Sequence, residues 1–216
     1  MEKFSLIITA GGTSSRYGKT NKLLEVINGK TVIEHTLSKF SEFKQIDEII
    51  IPANVSIIDS LFKLFISPNI MIIKGGNTRQ ESVYKALEYV NNDYVLIHDG
   101  ARPLVNHTII NDVLNSVIKN NAVSVMTKTT DTIKEVDNTG RIIKTIDRTR
   151  LYNTQTPQAF KTELIKNAHN SLKGKNYTDD ASMLEELNCP VYIVEGDYTN
   201  IKITTKSDLD FAKIYI

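Results

Sequence analysis

The side chains in this sequence that could do chemistry are mostly cations set just behind short apolar runs. After Phe4–Ala10 the chain breaks at Gly11-Gly12 and then carries Arg16, Lys19 and Lys22 around Gly18. A buried strand running into Gly-Gly leaves backbone N–H groups turned outward, a concavity suited to phosphate and strengthened by flanking cations. An ordinary turn with solvated Arg and Lys is the plainer alternative. Further polar sets follow: Gly75 to Ser82 (GGNTRQES), His98-Asp99-Gly100-Ala101-Arg102, Arg148, Gln155 to Gln158, Thr178-Asp179-Asp180 and Asn200-Ile201-Lys202. Asp99 closes an apolar run, where a lone carboxylate suits Mg²⁺, which uses one or two carboxylates together with substrate phosphates. A helix cap or a partner for Arg102 is the competing role, and His98 reads as a structural hydrogen-bonder. The sequence has no His/Cys cluster for zinc and no G-x-S-x-G. One carboxylate among dispersed cations points to chemistry on phosphates, which needs in-line positioning and charge neutralisation more than covalent help.

Gly18-Lys19-Thr20 imitates the end of a P-loop. That motif needs its first glycine at position 13, which is threonine, and Gly12 stands one residue too early. A P-loop NTPase is therefore the distant alternative.

The elements that must position these groups alternate. Strands are expected at Phe4–Ala10, Glu48–Ile51, Ile70–Ile73, Tyr94–His98, Ala122–Met126 and Val191–Val194. Helices are expected at Thr31–Phe40, Val55–Phe65, Gln80–Val90, His107–Lys119, Thr162–Leu172 and Asp180–Leu187, and Thr205 with Asp208 spaces a capping box for a last one. Such alternation implies an α/β fold, a single doubly wound, mostly parallel sheet covered on both faces, with ligands beyond the carboxyl ends of the strands.

The alternation fails at about 127–150. Asp131–Val136 and Arg141–Ile146 read as a hairpin turning on Asn138-Thr139-Gly140. It is rich in Thr and charge, and a lone two-stranded ribbon is marginal in water. It either extends the sheet edge or packs on a second copy of the chain as an arm.

With 216 residues the chain is long enough for one large domain, expected to span 1–216. Its 26 basic and 25 acidic residues argue against a bulk nucleic-acid binder. The single cysteine, Cys189, precludes an internal disulfide and reads as a core thiol. No apolar run reaches the roughly 18 residues of a membrane span, and the start does not read as a signal peptide, so a cytoplasmic protein is expected.

The motifs bear a resemblance that spans residues 5 to about 210, in order. TAGGTSSRYG resembles the opening loop of sugar-phosphate and polyol-phosphate nucleotidyltransferases. GGNTRQESV, HDGARP, QTPQAF, TDDAS and NIKITTKSDL narrow the resemblance to cytidylyltransferases, most of all those acting on 2-C-methyl-D-erythritol 4-phosphate in the non-mevalonate isoprenoid pathway. Ribitol-5-phosphate cytidylyltransferases are the near alternative; they tend to have Ser-Val at Gly100-Ala101 and to lack the Ala181-Ser182-x-x-Glu185 continuation. The resemblance implies that Arg16 and Lys22 stabilise the transition state at the α-phosphate of CTP. It implies that Ala10, Gly11 and Gly12 wrap the triphosphate, that Gly76, Asn77 and Ser82 hold cytosine, and that Asp99 binds Mg²⁺ or another divalent cation. Arg148 and Lys202 would orient the polyol phosphate, with Arg102, Thr132 and Thr178 adding substrate contacts. The arm would make a homodimer, with Arg148 and Thr132 serving the neighbour's site. Ser14 and Tyr17 depart from the family's usual Gly and Met, and Arg16 and Lys22 are six apart where seven is common.

Overall fold

The computed structural model describes residues 2–12, 17–18 and 20–216. Its main sheet has seven strands: β1 (Phe4–Thr9), β4 (Ile46–Ala53), β5 (Ile70–Lys74), β6 (Tyr94–Asp99), β7 (Ala122–Lys128), β10 (Tyr152–Lys161) and β11 (Tyr192–Glu195). They lie in the order β11-β7-β10-β6-β1-β4-β5. Every pairing is parallel except those of β10, which runs antiparallel to both β6 and β7. The expected α/β architecture and mostly parallel sheet are present.

Both faces are covered, as the side-chain alternation of a strand requires. From β1, Phe4, Leu6 and Ile8 enter one apolar core and Ile7 the other. The first core receives Val32, Ile33 and Leu37 of α1 (Val32–Ser38), Ile57 and Leu61 of α2 (Val55–Leu64), Ile109, Ile110, Val113 and Leu114 of α4 (His107–Asn120), and Leu209 and Ala212 of α7 (Lys206–Tyr215). The second receives Val83, Ala86 and Leu87 of α3 (Arg79–Leu87), Ile165 and Ala168 of α5 (Thr162–Ser171), and Ala181, Met183 and Leu184 of α6 (Ala181–Glu186).

The expected helices all form, with ends within three residues of those expected. The capping box on α7 is present as read, and α1 has a second one, between Thr31 and Glu34. The principal strand missed in the sequence is β10. Its Pro157 has no N–H for the ladder, and the register of pairing to β7 shifts between Thr154 and Gln158. Its stretch Gln155–Gln158 is polar apart from Pro157, yet Gln155, Thr156 and Gln158 are buried. A short hairpin, β2 (Val26–Ile27) with β3 (Lys30–Thr31), was also missed. Cys189 is only partly buried, packed at the margin of the second core rather than inside it.

The region around 127–150 forms its own two-stranded sheet, β8 (Ile133–Val136) against β9 (Ile142–Ile146), outside the seven-stranded one. Of the two readings, an edge extension of the sheet is excluded. Val136, Ile142 and Ile143 of this arm are exposed.

A charged cleft at the carboxyl ends of the strands

β1 and β6 lie side by side in the centre of the sheet and end together, Thr9 pairing with Asp99. The strand ends are held close: a Cβ on Gly100 would stand 2.9 Å from the carbonyl oxygen of Thr9, so only glycine fits this crossing. A Ser at that position has no room on this backbone. A cleft of about 260 Å³ opens above them, lined by Thr9, Gly11, Gly12, Lys22, Leu23, Asn77, Thr78, Arg79, Ser82, Asp99, Gly100, Ala101 and Lys202. A second hollow of about 210 Å³ shares Arg79, Asp99 and Lys202 with the first and adds Arg102, Thr178, Asp179 and the 154–158 stretch of β10.

Asp99 is the hub of both. Its Oδ1 accepts from Arg79 Nε at 3.2 Å and from the Thr9 hydroxyl at 3.2 Å. Its Oδ2 lies 2.9 Å from Lys202 Nζ and 3.5 Å from Arg102 Nε. Burial alone would push this carboxyl up, but Arg79, Lys202 and Arg102 override it and hold it well below the usual carboxylate range. Arg79 continues to Asp180, Nη1 to Oδ2 at 2.7 Å. Burial works against the Arg79 charge, and the two carboxylates more than offset it. Among the described residues, Lys22, Arg79, Arg102 and Lys202 against Asp99, Asp179 and Asp180 leave the cleft with an excess of positive charge, which suits a polyanionic ligand.

The wall behind Asp99 is a fixed hydrogen-bond chain. His98 Nε2 meets the Arg102 carbonyl oxygen at 3.1 Å, so that nitrogen carries the proton and donates. Nδ1 is then an acceptor and takes the Thr156 hydroxyl proton at 3.0 Å. The same hydroxyl accepts from the Asp99 N–H at 3.0 Å. Burial lowers the His98 pKa to about 4, so the ring is neutral near pH 7. His98 is a structural hydrogen-bonder, as expected.

At the opposite wall, the Ser82 hydroxyl donates to the Thr78 carbonyl oxygen at 2.8 Å and accepts from the Gly76 N–H at 3.0 Å. A Cβ on Gly76 would come within 2.2 Å of Glu81 Cβ, so this glycine is required by the turn into α3 itself.

The cleft thus brings together Gly11, Gly12, Lys22, Asn77, Ser82, Asp99 and Lys202, with Arg102 and Thr178 next door. Ala10 is committed to the sheet: its N–H donates to Pro52 and its carbonyl oxygen accepts from Asn54, at 3.0 Å each. Thr132 and Arg148 are exposed on the arm and its base, and line neither hollow of their own chain. Arg148 hydrogen-bonds the Thr130 carbonyl oxygen. Arg16 and Lys19 lie outside the described residues. Arg79 is the residue that sequence reasoning missed as a site member. The only signal was its place at the start of a helix directly after Gly-Gly-Asn-Thr.

The P-loop alternative fails on this geometry. Lys22–Leu24 forms a single 3₁₀ turn and leads into β2, and α1 begins only at Val32, so no long helix opens behind Gly18-Lys19-Thr20. Among the described residues no group of three or more His, Cys, Asp or Glu side chains could hold a metal by itself.

The family model for 2-C-methyl-D-erythritol 4-phosphate cytidylyltransferase (IspD) matches residues 4–216. The chain belongs to this cytidylyltransferase family. A curated family member from Dictyoglomus thermophilum is 40% identical over 97% of this chain and 94% of its own length. One from Bacillus mycoides is 40% identical over 99% and 97%. Among solved structures, the 4-diphosphocytidyl-2C-methyl-D-erythritol synthase of Anaerococcus prevotii superposes with a TM-score of 0.86 at 34% identity, covering 99% of this chain and 98% of that one. The cytidylyltransferase of Thermus thermophilus gives 0.82 at 30% identity, covering 100% and 98%. The doubly wound sheet is thus the cytidylyltransferase fold, with the charged cleft at the carboxyl ends of its strands.

Proposed function

We propose that the chain transfers CMP from CTP to 2-C-methyl-D-erythritol 4-phosphate, giving 4-diphosphocytidyl-2-C-methyl-D-erythritol and pyrophosphate. The observation that carries this, with family membership, is Asp99 at the paired ends of β1 and β6 among Arg79, Arg102 and Lys202. A phosphate oxygen of the acceptor attacks the α-phosphorus of CTP, the bond to the β-phosphate oxygen breaks, and pyrophosphate leaves with the electron pair. Gly11 and Gly12 border the triphosphate, Lys22 and Arg16 neutralise charge at the α-phosphate, and Gly76, Asn77 and Ser82 hold cytosine. Lys202, Arg102 and Thr178 orient the acceptor.

The donor set fits a hard divalent cation such as Mg²⁺: one carboxylate, Asp99, with the remaining positions filled by phosphate oxygens and water. When bound, that cation would draw the triphosphate into place and offset its charge. Asp99 would hold it, and Lys202, the most exposed of its cationic partners, would turn to the phosphates.

The arm supports a homodimer in which Thr132 and Arg148 complete the neighbour's site, because both are exposed and neither lines either of the two hollows around Asp99. Pyrophosphate release from CTP should require both Mg²⁺ and methylerythritol phosphate. Equal turnover with ribitol 5-phosphate would overturn the acceptor assignment, and release of inorganic phosphate without an acceptor would overturn the transferase reading.

A further inference from the structure

Asp99 can serve a cation only if the three positive side chains around it have somewhere else to go. Arg102 keeps one polar partner, a neutral one: its Nη1 donates to the Asn200 carbonyl oxygen at 2.7 Å, although its side chain is only 11% exposed. Lys202 has such a place, since its side chain is 39% exposed and can turn to water. The Arg79 side chain is only 25% exposed, so losing Asp99 would leave a guanidinium short of counter-charge in a poorly solvated place.

Asp180 supplies that counter-charge. Its carboxylate is 1% exposed, and its contact to Arg79 at 2.7 Å is shorter than the 3.2 Å contact of Arg79 to Asp99. Asp180 stands at the N-cap of α6, where an aspartate usually bonds the helix's own amides, yet its side chain makes no capping bond. Gln158 and Asp179 do that work: Gln158 Oε1 accepts from the N–H groups of Asp180 at 3.1 Å and Ala181 at 3.2 Å, and Asp179 Oδ1 accepts from the Ser182 N–H at 3.3 Å. The other neighbour of Asp180, His169 Nε2, is 3.7 Å from Oδ1, beyond hydrogen-bond reach. The carboxylate is thereby kept for Arg79.

We propose that Asp180 is a positioning residue that retains Arg79 when a divalent cation takes Asp99, and so makes Asp99 exchangeable. This rests on the reading of Asp99 as the cation's ligand. Without Asp180, Arg79 has Asp99 as its one remaining carboxylate and competes with the cation for it.

The test is calorimetric binding of CTP to the full chain, without acceptor, once with Mn²⁺ and once with EDTA. The ratio of the two dissociation constants is the gain due to the cation, and direct effects on CTP cancel in it. Wild type should show a gain and Asp99→Asn none. Asp180→Asn should cut the gain by about tenfold or more, the scale of losing a residue that supports a metal ligand. Arg79→Gln with Asp180→Asn should recover most of it, because the competitor leaves with its counter-charge; a residue needed only for folding would not be rescued so. An unchanged gain in Asp180→Asn, or no recovery in the double variant, overturns the proposal. If circular dichroism shows Asp180→Asn unfolded, Arg79→Gln alone decides: a gain at or above wild type supports the proposal, and a smaller one overturns it. An equal gain in wild type and Asp99→Asn would instead overturn the reading of Asp99 as the ligand, a separate failure.

Discussion

Lys22 and Asp99 line the same cleft, and the duties proposed for them are opposite, one neutralising phosphate charge and one giving charge to a cation. Lys22→Ala should lower kcat on the order of 10²–10³, the scale of removing one preorganised charge-stabilising group, with CTP affinity largely kept; pre-steady-state pyrophosphate release would check it. Intact turnover would move the role elsewhere. His98 gives a second prediction at this scale. Its folded pKa of about 4 lies below the ordinary 6.5, so the unfolded chain binds the proton more readily. Stability from the neutral ring is fully present above pH 6.5, falls as pH drops below it, and is spent by about pH 4. The total is roughly 3 kcal/mol. Denaturant unfolding at pH 7 and 5.5, without added metal, should show stability falling by about 1 kcal/mol more in wild type than in His98→Gln. Equal pH dependence in the two would refute the assignment. That Asp99 is an ion-pair partner was half visible in sequence: the strand-end carboxylate and Arg102 could be paired by spacing. Arg79 and Asp180, about a hundred residues apart, could not.

At the scale of elements, apolar periodicity and caps were enough to place most helices, because an amphipathic stripe and its capping residues are local signals. Thr205→Ala removes one arm of the α7 capping box and should cost about 1 kcal/mol, a fall in Tm of roughly 2–4 °C by calorimetry. Gly76→Ala is a different kind of change. Its Cβ would collide with Glu81 at 2.2 Å, so the turn into α3 must shift. CTP affinity should drop and stability fall by about 1–3 kcal/mol, read by calorimetric titration and urea unfolding. β10 escaped notice for a reason of the opposite kind. Its polar residues are buried because they bond to partners distant in sequence: Gln158 to Ser124 and Asp179, and Gln155 to Asp197. No local period reports such bonds.

The whole molecule raises the question of the arm. If Arg148 serves the neighbour's site, two inactive variants should complement each other. Co-refolded Asp99→Asn and Arg148→Ala chains form mixed dimers with one intact site, so activity should return to about a quarter of wild type. No recovery would mean Arg148 acts within its own chain. Deleting 131–146 should lower the native mass to that of one chain, measured by light scattering. The described residues contain no helix long and apolar enough to cross a membrane.

The sequence by itself determined the alternation of strands and helices, the chemistry on phosphates and the motifs that carry the family. Each depends on residues close together in the chain: an apolar period, a Gly-Gly break, a short polar run. Only the tertiary structure decided which charges share a carboxylate. The sheet order β10-β6-β1 puts Thr156 behind Asp99, and α5, which contacts both α3 and α6, brings the start of α3 near the N-cap of α6, so that Arg79 stands between Asp99 and Asp180. Charge pairing at a few ångströms depends on how elements pack, and packing is set by long-range contacts that no spacing along the chain encodes.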